Sequence, residues 1–166
     1  MKIKPYFCKA PNAFDTVTYK KFDVSIKAED GSTVFEQKGI MAPDTWSQQA
    51  VNVVASKYFY GPKDDREQSV GDLVNRVSRA IANWGYADGY FSTIEDAKVF
   101  QNELAWLCLH QHGAFNSPVW FNVGLCDMYG VRGDLNGWKL FDGHEHAIKV
   151  DSYEYPQASA CFIQSV

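Results

Sequence analysis

The side chains able to carry chemistry are few: four cysteines, four histidines, and a serine set before a proline. Cys8, Cys108, Cys126 and Cys161 stand at wide, unequal gaps with no CxxC, which is neither a disulfide framework nor a zinc-ribbon spacing. Each must be judged by its neighbours. In PQASACFI (Pro156 to Ile163), the small residues Ala158, Ser159 and Ala160 precede Cys161, so a ligand or partner backbone can approach a thiol at the start of a strand. Composition alone would read Cys161 as a buried strand cysteine. In FNSPVWFN (Phe115 to Asn122), Ser117 sits before Pro118, which fixes the backbone and leaves the hydroxyl and nearby N–H groups to meet a ligand oxygen. The plain alternative is a structural turn. Cys108 falls on an apolar stripe and reads as a small core residue, while Cys8 and Cys126 carry no argument.

His110 and His112 are two apart on a helix and point in different directions, so a shared metal is not expected of them. His144 and His146 would face the same way on a strand, with Cys126 as a third ligand, but a solvated loop explains GHEH more simply. Phosphate-binding glycine loops are absent, and the Asp and Glu residues form no obvious catalytic pair. Trp46, Trp84 and Trp106 are expected on helical core faces rather than as base-stacking platforms.

The elements that would position these groups follow from periodicity. Residues 1–14 hold two prolines and no pattern, which predicts an irregular arm. Alternating Phe22, Val24 and Ile26, then Val34 with Phe35, flank Asp30-Gly31 and predict a β-hairpin. Behind Asp44 as N-cap, Trp46, Ala50, Val53, Val54 and Lys57 predict a helix ending near Tyr60. The polar GPKDDRE reads as a loop. Ser69 opens a second helix with Val70, Leu73, Val74, Val77, Ile81 and Trp84 on one face and Gly85 as its stop. A third starts at Ser92, with Glu95 at capping-box spacing, and ends near His112-Gly113. After that, FNSPVWFNVGLC reads as a shaped loop entering a strand, residues 127–156 as an inserted excursion or small hairpin, and the last ten as a turn and a β-strand.

The chain has 166 residues, room for one ordinary domain, and is 46% hydrophobic with 25 aromatics, well inside the globular range. Its 16 basic and 20 acidic residues give net −4, which offers no general attraction toward DNA, RNA or an anionic membrane. No apolar run is long enough for a membrane span, and Pro5, Lys9 and Pro11 occupy the place of a secretory apolar region, so a cytoplasmic protein is expected. The strand pattern Phe162, Ile163, Val166 stops without a turn or polar tail, and a lone terminal strand needs neighbours, so more chain is expected after it.

HQHGAFNSPVWFNVG and PQASACFIQSV, with VFEQ, WSQQA and VASKYF (Val54 to Phe59) upstream, resemble the N-terminal region of the adenosylcobalamin-dependent (class II) ribonucleotide reductases. The resemblance implies an α+β fold: a mainly helical N-terminal domain with a β-hairpin (15–113) after the arm (1–14), then the first strand or strands of a ten-stranded α/β barrel (114–166) carrying an insert at about 127–155. It implies reduction of ribonucleoside di- or triphosphates to 2′-deoxyribonucleotides by a radical mechanism. Cys161 would be one of a redox-active pair, and Ser117, Ala160 and Cys161 would contact the substrate, with Ser117 at its phosphate. Adenosylcobalamin, its contacts outside this chain, would be the cofactor. The implied partners are the remainder of the large chain, the ribonucleotide and a thioredoxin-type reductant, with a homodimer allowed for the full enzyme; the chain alone would be inactive. The rival readings are a noncatalytic binding or assembly module that kept the fold, and a small metal protein using Cys126, His144 and His146.

Overall fold

A computed structural model describes residues 1–62, 65–132, 139–141, 147–149, 155, 156 and 158. After a 3-10 turn at Ala13–Thr16, strands β1 (Tyr19–Lys27) and β2 (Thr33–Pro43) pair antiparallel around Asp30-Gly31. Alternation places Phe22, Val24, Ile40 and Ala42 in the core. The register slips between Phe22 and Val24, where Asp23 Oδ1 accepts the Gly39 N–H at 2.8 Å. This bulge lets β2 change which parity faces inward. Three helices pack behind the hairpin: α1 (Gln48–Lys57), α2 (Val70–Ala87) and α3 (Ile94–Leu109). Val51 and Ala55 of α1, Val70, Leu73, Val74 and Val77 of α2, and Ala105, Cys108 and Leu109 of α3 complete one apolar cluster. The result is α+β, as the patterning implies.

Helix boundaries shift where capping chemistry decides them. Helix α1 is capped by Ser47, whose Oγ accepts the Ala50 N–H at 3.1 Å, because Asp44 is spent in the turn that closes with Trp46 N–H on the Pro43 carbonyl. Its buried face is therefore Val51 and Ala55, and Val53 is exposed. Helix α3 begins one residue later than expected, with Thr93 and Asp96 forming the capping box in place of Ser92 and Glu95. Ser69 caps α2 as expected, but Gly85 does not end it. A Cβ there would come within 2.5 Å of the Phe91 ring, so Gly85 is the seat against which Phe91 packs inside the helix. Trp84 lies 44% exposed, off the core, with its indole N–H toward Asp127 Oδ1 at 3.3 Å.

The arm is irregular but tightly held. Glu103 of α3 accepts the N–H groups of Tyr6, Phe7 and Cys8 at 2.9 to 3.0 Å, Asp96 accepts that of Ile3, and Asn102 holds Ala13 and Pro11. One carboxylate thus replaces the sheet partner that three consecutive donors lack.

The largest departure is at FNSPVWFN. Instead of a loop leading into a strand, Ser117–Asn122 forms a short helix, α4, followed by α5 (Leu125–Tyr129). Pro118 falls in the first turn, where its missing N–H has no intrahelical partner to lose and its fixed φ suits the helix. Farther on, β3 (Lys139–Phe141) and β4 (Ala147–Lys149) pair antiparallel as the small hairpin expected within 127–156. The terminal strand expected at Phe162 and Ile163 lies outside the described residues.

Candidate functional site

Of the residues singled out for substrate contact, Ser117 is described, while Ala160 and Cys161 lie outside the described residues, as do Ser159, His144 and His146. Cys8 and Cys108 are buried free thiols and Cys126 is half-buried. Burial alone pushes the Cys108 thiol up to about 11, which fits a packing residue rather than a nucleophile. His110 and His112 do not converge on a metal. Both rings lie against Trp106, at centroid distances of 4.3 and 5.2 Å, and His110 Nε2 is 3.0 Å from Thr16 Oγ1. Among the described residues, no group of three or more His, Cys, Asp or Glu side chains could hold a metal ion.

Ser117 stands half-buried in the first turn of α4, and its hydroxyl shares a hydrogen bond with Tyr58 Oη at 3.1 Å. Tyr58 follows the end of α1, and its ring tilts against Phe121 of α4 at 5.3 Å. Beside this pair opens a cleft of about 790 Å³ whose walls include Trp46, Val54, Tyr58, Leu73, Phe115 and Trp120. Its aromatic walls, with Ser47, Gln49, Gln111 and His112 also in the lining, suit an organic ligand with a polar end. Trp46 is fixed there by its indole N–H on the Leu109 carbonyl at 2.8 Å. A second cleft, of about 710 Å³, lies between the arm and α2, but its amides are already engaged: Asn75 with Gln101, Asn102 with Ala13 and Pro11.

What sequence reasoning missed is the support beneath α4. Arg76, at the middle of α2, is wholly buried. Its Nε donates to Glu67 Oε1 at 2.8 Å, Nη1 to the Val123 carbonyl at 2.6 Å, and Nη2 to the Trp120 carbonyl at 3.1 Å and the Tyr58 carbonyl at 3.4 Å. Trp120 and Val123 belong to the C-terminal turn of α4, whose carbonyls have no helical partner of their own. A guanidinium fork from another helix supplies those donors. Glu67 is held in turn: its Oε2 accepts the Tyr60 N–H at 2.9 Å and its Oε1 accepts the Tyr129 hydroxyl at 3.0 Å. Burial first, and then the Glu67 charge, pushes Tyr129 up to about 12, which keeps it a donor at neutral pH. Gly124 closes the junction, since its φ is +79° and a Cβ there would come within 2.6 Å of the Arg76 carbonyl oxygen. The sequence signal available was weak: an arginine at a position flanked by the apolar Leu73, Val74 and Val77.

Comparisons with known proteins match the sequence to a lineage. The family described as class II vitamin B12-dependent ribonucleotide reductase matches residues 20–63 and 60–111, which takes in the hairpin and all of α1 to α3. Beyond those residues, the likeness to individual relatives continues. A vitamin B12-dependent ribonucleotide reductase of Rhodopirellula baltica is 51% identical over 172 aligned residues, covering 100% of this chain and 16% of the relative. One from Agrobacterium fabrum is 32% identical over 208 aligned residues, again 100% of this chain and 16% of the relative. One from Streptomyces coelicolor is 44% identical over 114 residues, 67% of this chain and 12% of the relative. The chain thus spans about one sixth or less of the relatives it matches. With a family match across most of the described fold and half of its residues shared with a named reductase, the chain belongs to the class II, vitamin B12-dependent ribonucleotide reductases.

Proposed function

We propose that this chain is the N-terminal part of a reductase that converts ribonucleotides to 2′-deoxyribonucleotides, and that Ser117, Ala160 and Cys161 form the part of the substrate site it contributes. The observation that carries the reading is the 51% identity to a vitamin B12-dependent ribonucleotide reductase over an alignment covering the whole chain. In support, Ser117 is half-buried and hydrogen-bonded to Tyr58, which lines the aromatic cleft, and a neutral hydroxyl serves a phosphate oxygen without adding charge. In this reading, as the family resemblance implies, residues 114–166 begin a ten-stranded α/β barrel.

Cys161 and a second cysteine farther along the polypeptide supply the reducing equivalents. Two thiols give up two electrons and two protons, the ribose 2′-hydroxyl leaves as water, a hydrogen takes its place on carbon, and the thiols close as a disulfide. A thioredoxin-type dithiol reopens that disulfide by exchange. When bound, adenosylcobalamin supplies the radical that activates the 3′ position. Its contacts are assigned to the remainder of the polypeptide, as the family resemblance implies.

The test is turnover. With adenosylcobalamin, a ribonucleotide and a dithiol, the isolated chain should give no deoxyribonucleotide, and the complete reductase should give it over many turnovers. Cys161→Ser in the complete enzyme should abolish multiple turnover; full activity in that variant would overturn the assignment, as would reduction by the isolated chain.

A further inference from the structure

We propose that the Arg76–Glu67 pair consists of positioning residues that present Ser117 to the substrate. The inference rests on the reading of Ser117 as a substrate-binding residue. Its foundation is convergence. One wholly buried guanidinium ties together the end of α1 through the Tyr58 carbonyl, the loop before α2 through Glu67, and the C-terminal end of α4 through the Trp120 and Val123 carbonyls.

Two short routes run from Arg76 to the Ser117 hydroxyl. The first is α4 itself. Trp120 is three residues from Ser117, less than one helical turn, so the guanidinium that fixes the Trp120 and Val123 carbonyls fixes the height and tilt of the turn bearing the hydroxyl. The second runs through Tyr58, whose carbonyl accepts from Arg76 Nη2 while its Oη meets Ser117 Oγ. Ser117 is therefore located from its backbone and from its side chain by one residue. Gly124 makes the seat close, because only a missing Cβ lets the α4 to α5 junction approach the Arg76 backbone.

Stability alone does not call for this arrangement. A buried ion pair gains little over apolar side chains of the same volume, because desolvation offsets the attraction. What apolar side chains cannot do is give directed donors to three carbonyls on two separate segments. A planar fork does that in one fixed geometry. Tyr129 extends the device by holding Glu67 from α5.

The experiment uses the complete reductase and reads KM and kcat for the ribonucleotide. The variants are Ser117→Ala, Glu67→Gln and Tyr129→Phe, with the doubles Ser117→Ala/Glu67→Gln and Ser117→Ala/Tyr129→Phe. Tyr129→Phe removes one hydroxyl and keeps the ring, so it carries the test should Glu67→Gln fold poorly. Loss of a binding contact outside the reacting atoms raises KM with kcat held. Ser117→Ala should raise KM about tenfold, Glu67→Gln about threefold or more and Tyr129→Phe about twofold. In the Ser117→Ala background, the second change should raise KM no further. That non-additivity is a readout that scaffolding would not produce. If Ser117→Ala raises KM while Glu67→Gln and Tyr129→Phe leave it at the parent value, the pair is structural and the inference fails alone. Additive KM effects overturn it in the same way. If Ser117→Ala leaves KM unchanged, the substrate reading of Ser117 falls, and the inference with it.

Discussion

Residues 15–113 and the α4 to α5 segment are held by different balances of apolar packing and directed hydrogen bonding. The hairpin and three helices bury one continuous apolar cluster, with Val24, Ile40, Val51, Val70 and Leu109 essentially without exposure. The α4 to α5 segment adds Trp120 and Val123 to the edge of that cluster and is fastened in addition by directed hydrogen bonds: the Trp120 and Val123 carbonyls to Arg76, Ser117 to Tyr58 and Tyr129 to Glu67. An apolar cluster gives stability without direction, whereas hydrogen bonds to a buried charge give direction and depend on every partner being present. The segment carrying the candidate substrate contact is the one held directionally.

The sharpest way to break the comparison is to remove each support in turn. Arg76→Met leaves Glu67 charged and buried and three carbonyls without their donor, and should cost about 3 to 5 kcal/mol in urea unfolding. Leu109→Ala should cost about 2 to 5 kcal/mol by transfer and cavity. The magnitudes overlap, so their location is what discriminates: the first should loosen α4, the second the packing of α3 on the hairpin.

A smaller effect comes from pH. The Cys108 thiol is raised from an ordinary 9.0 to about 11 by burial, so the folded state holds its proton more tightly than the unfolded chain. Its contribution is fully present below pH 9 and is lost as pH rises from about 9 to about 11. The loss should be about 2 to 3 kcal/mol at the top of that window. Cys108→Ala should flatten that part of an alkaline unfolding profile; an unchanged profile would mean that the thiol titrates alike in the folded and unfolded states. The smallest expected effect is Ser47→Ala, which removes the cap of α1 and should lower stability by about 1 kcal/mol, read as a fall in Tm, with α4 undisturbed.

The contrast also explains what the sequence made legible. The apolar stripe of α2 and the alternation of Phe22 and Val24 are periodic signals, and they fixed the hairpin, the second helix and the burial of Cys108. Caps were harder, because Asp44 and Ser47, or Ser92 and Thr93, are chemically equivalent candidates and only the neighbouring turn selects one. Helix α4 is too short to show a period, and its Phe, Trp and Val residues have strand preference, so tertiary hydrogen bonds decided its form. Glu103 and Arg76 bond backbone groups more than 40 residues away, a relation without local trace. Ser117 is singled out by its setting in FNSP, which carries a family resemblance where periodicity carries nothing. Cys161, found in the same way, lies outside the described residues.

The most direct measurement is amide hydrogen exchange in the complete reductase, comparing Arg76→Lys with Leu109→Ala. If α4 is held through Arg76, the Arg76→Lys variant should lose protection at Val119 to Val123 by at least tenfold while the amides of β1, β2 and α3 stay protected, and Leu109→Ala should show the opposite distribution. Equal loss of protection in both regions for both variants would contradict the account.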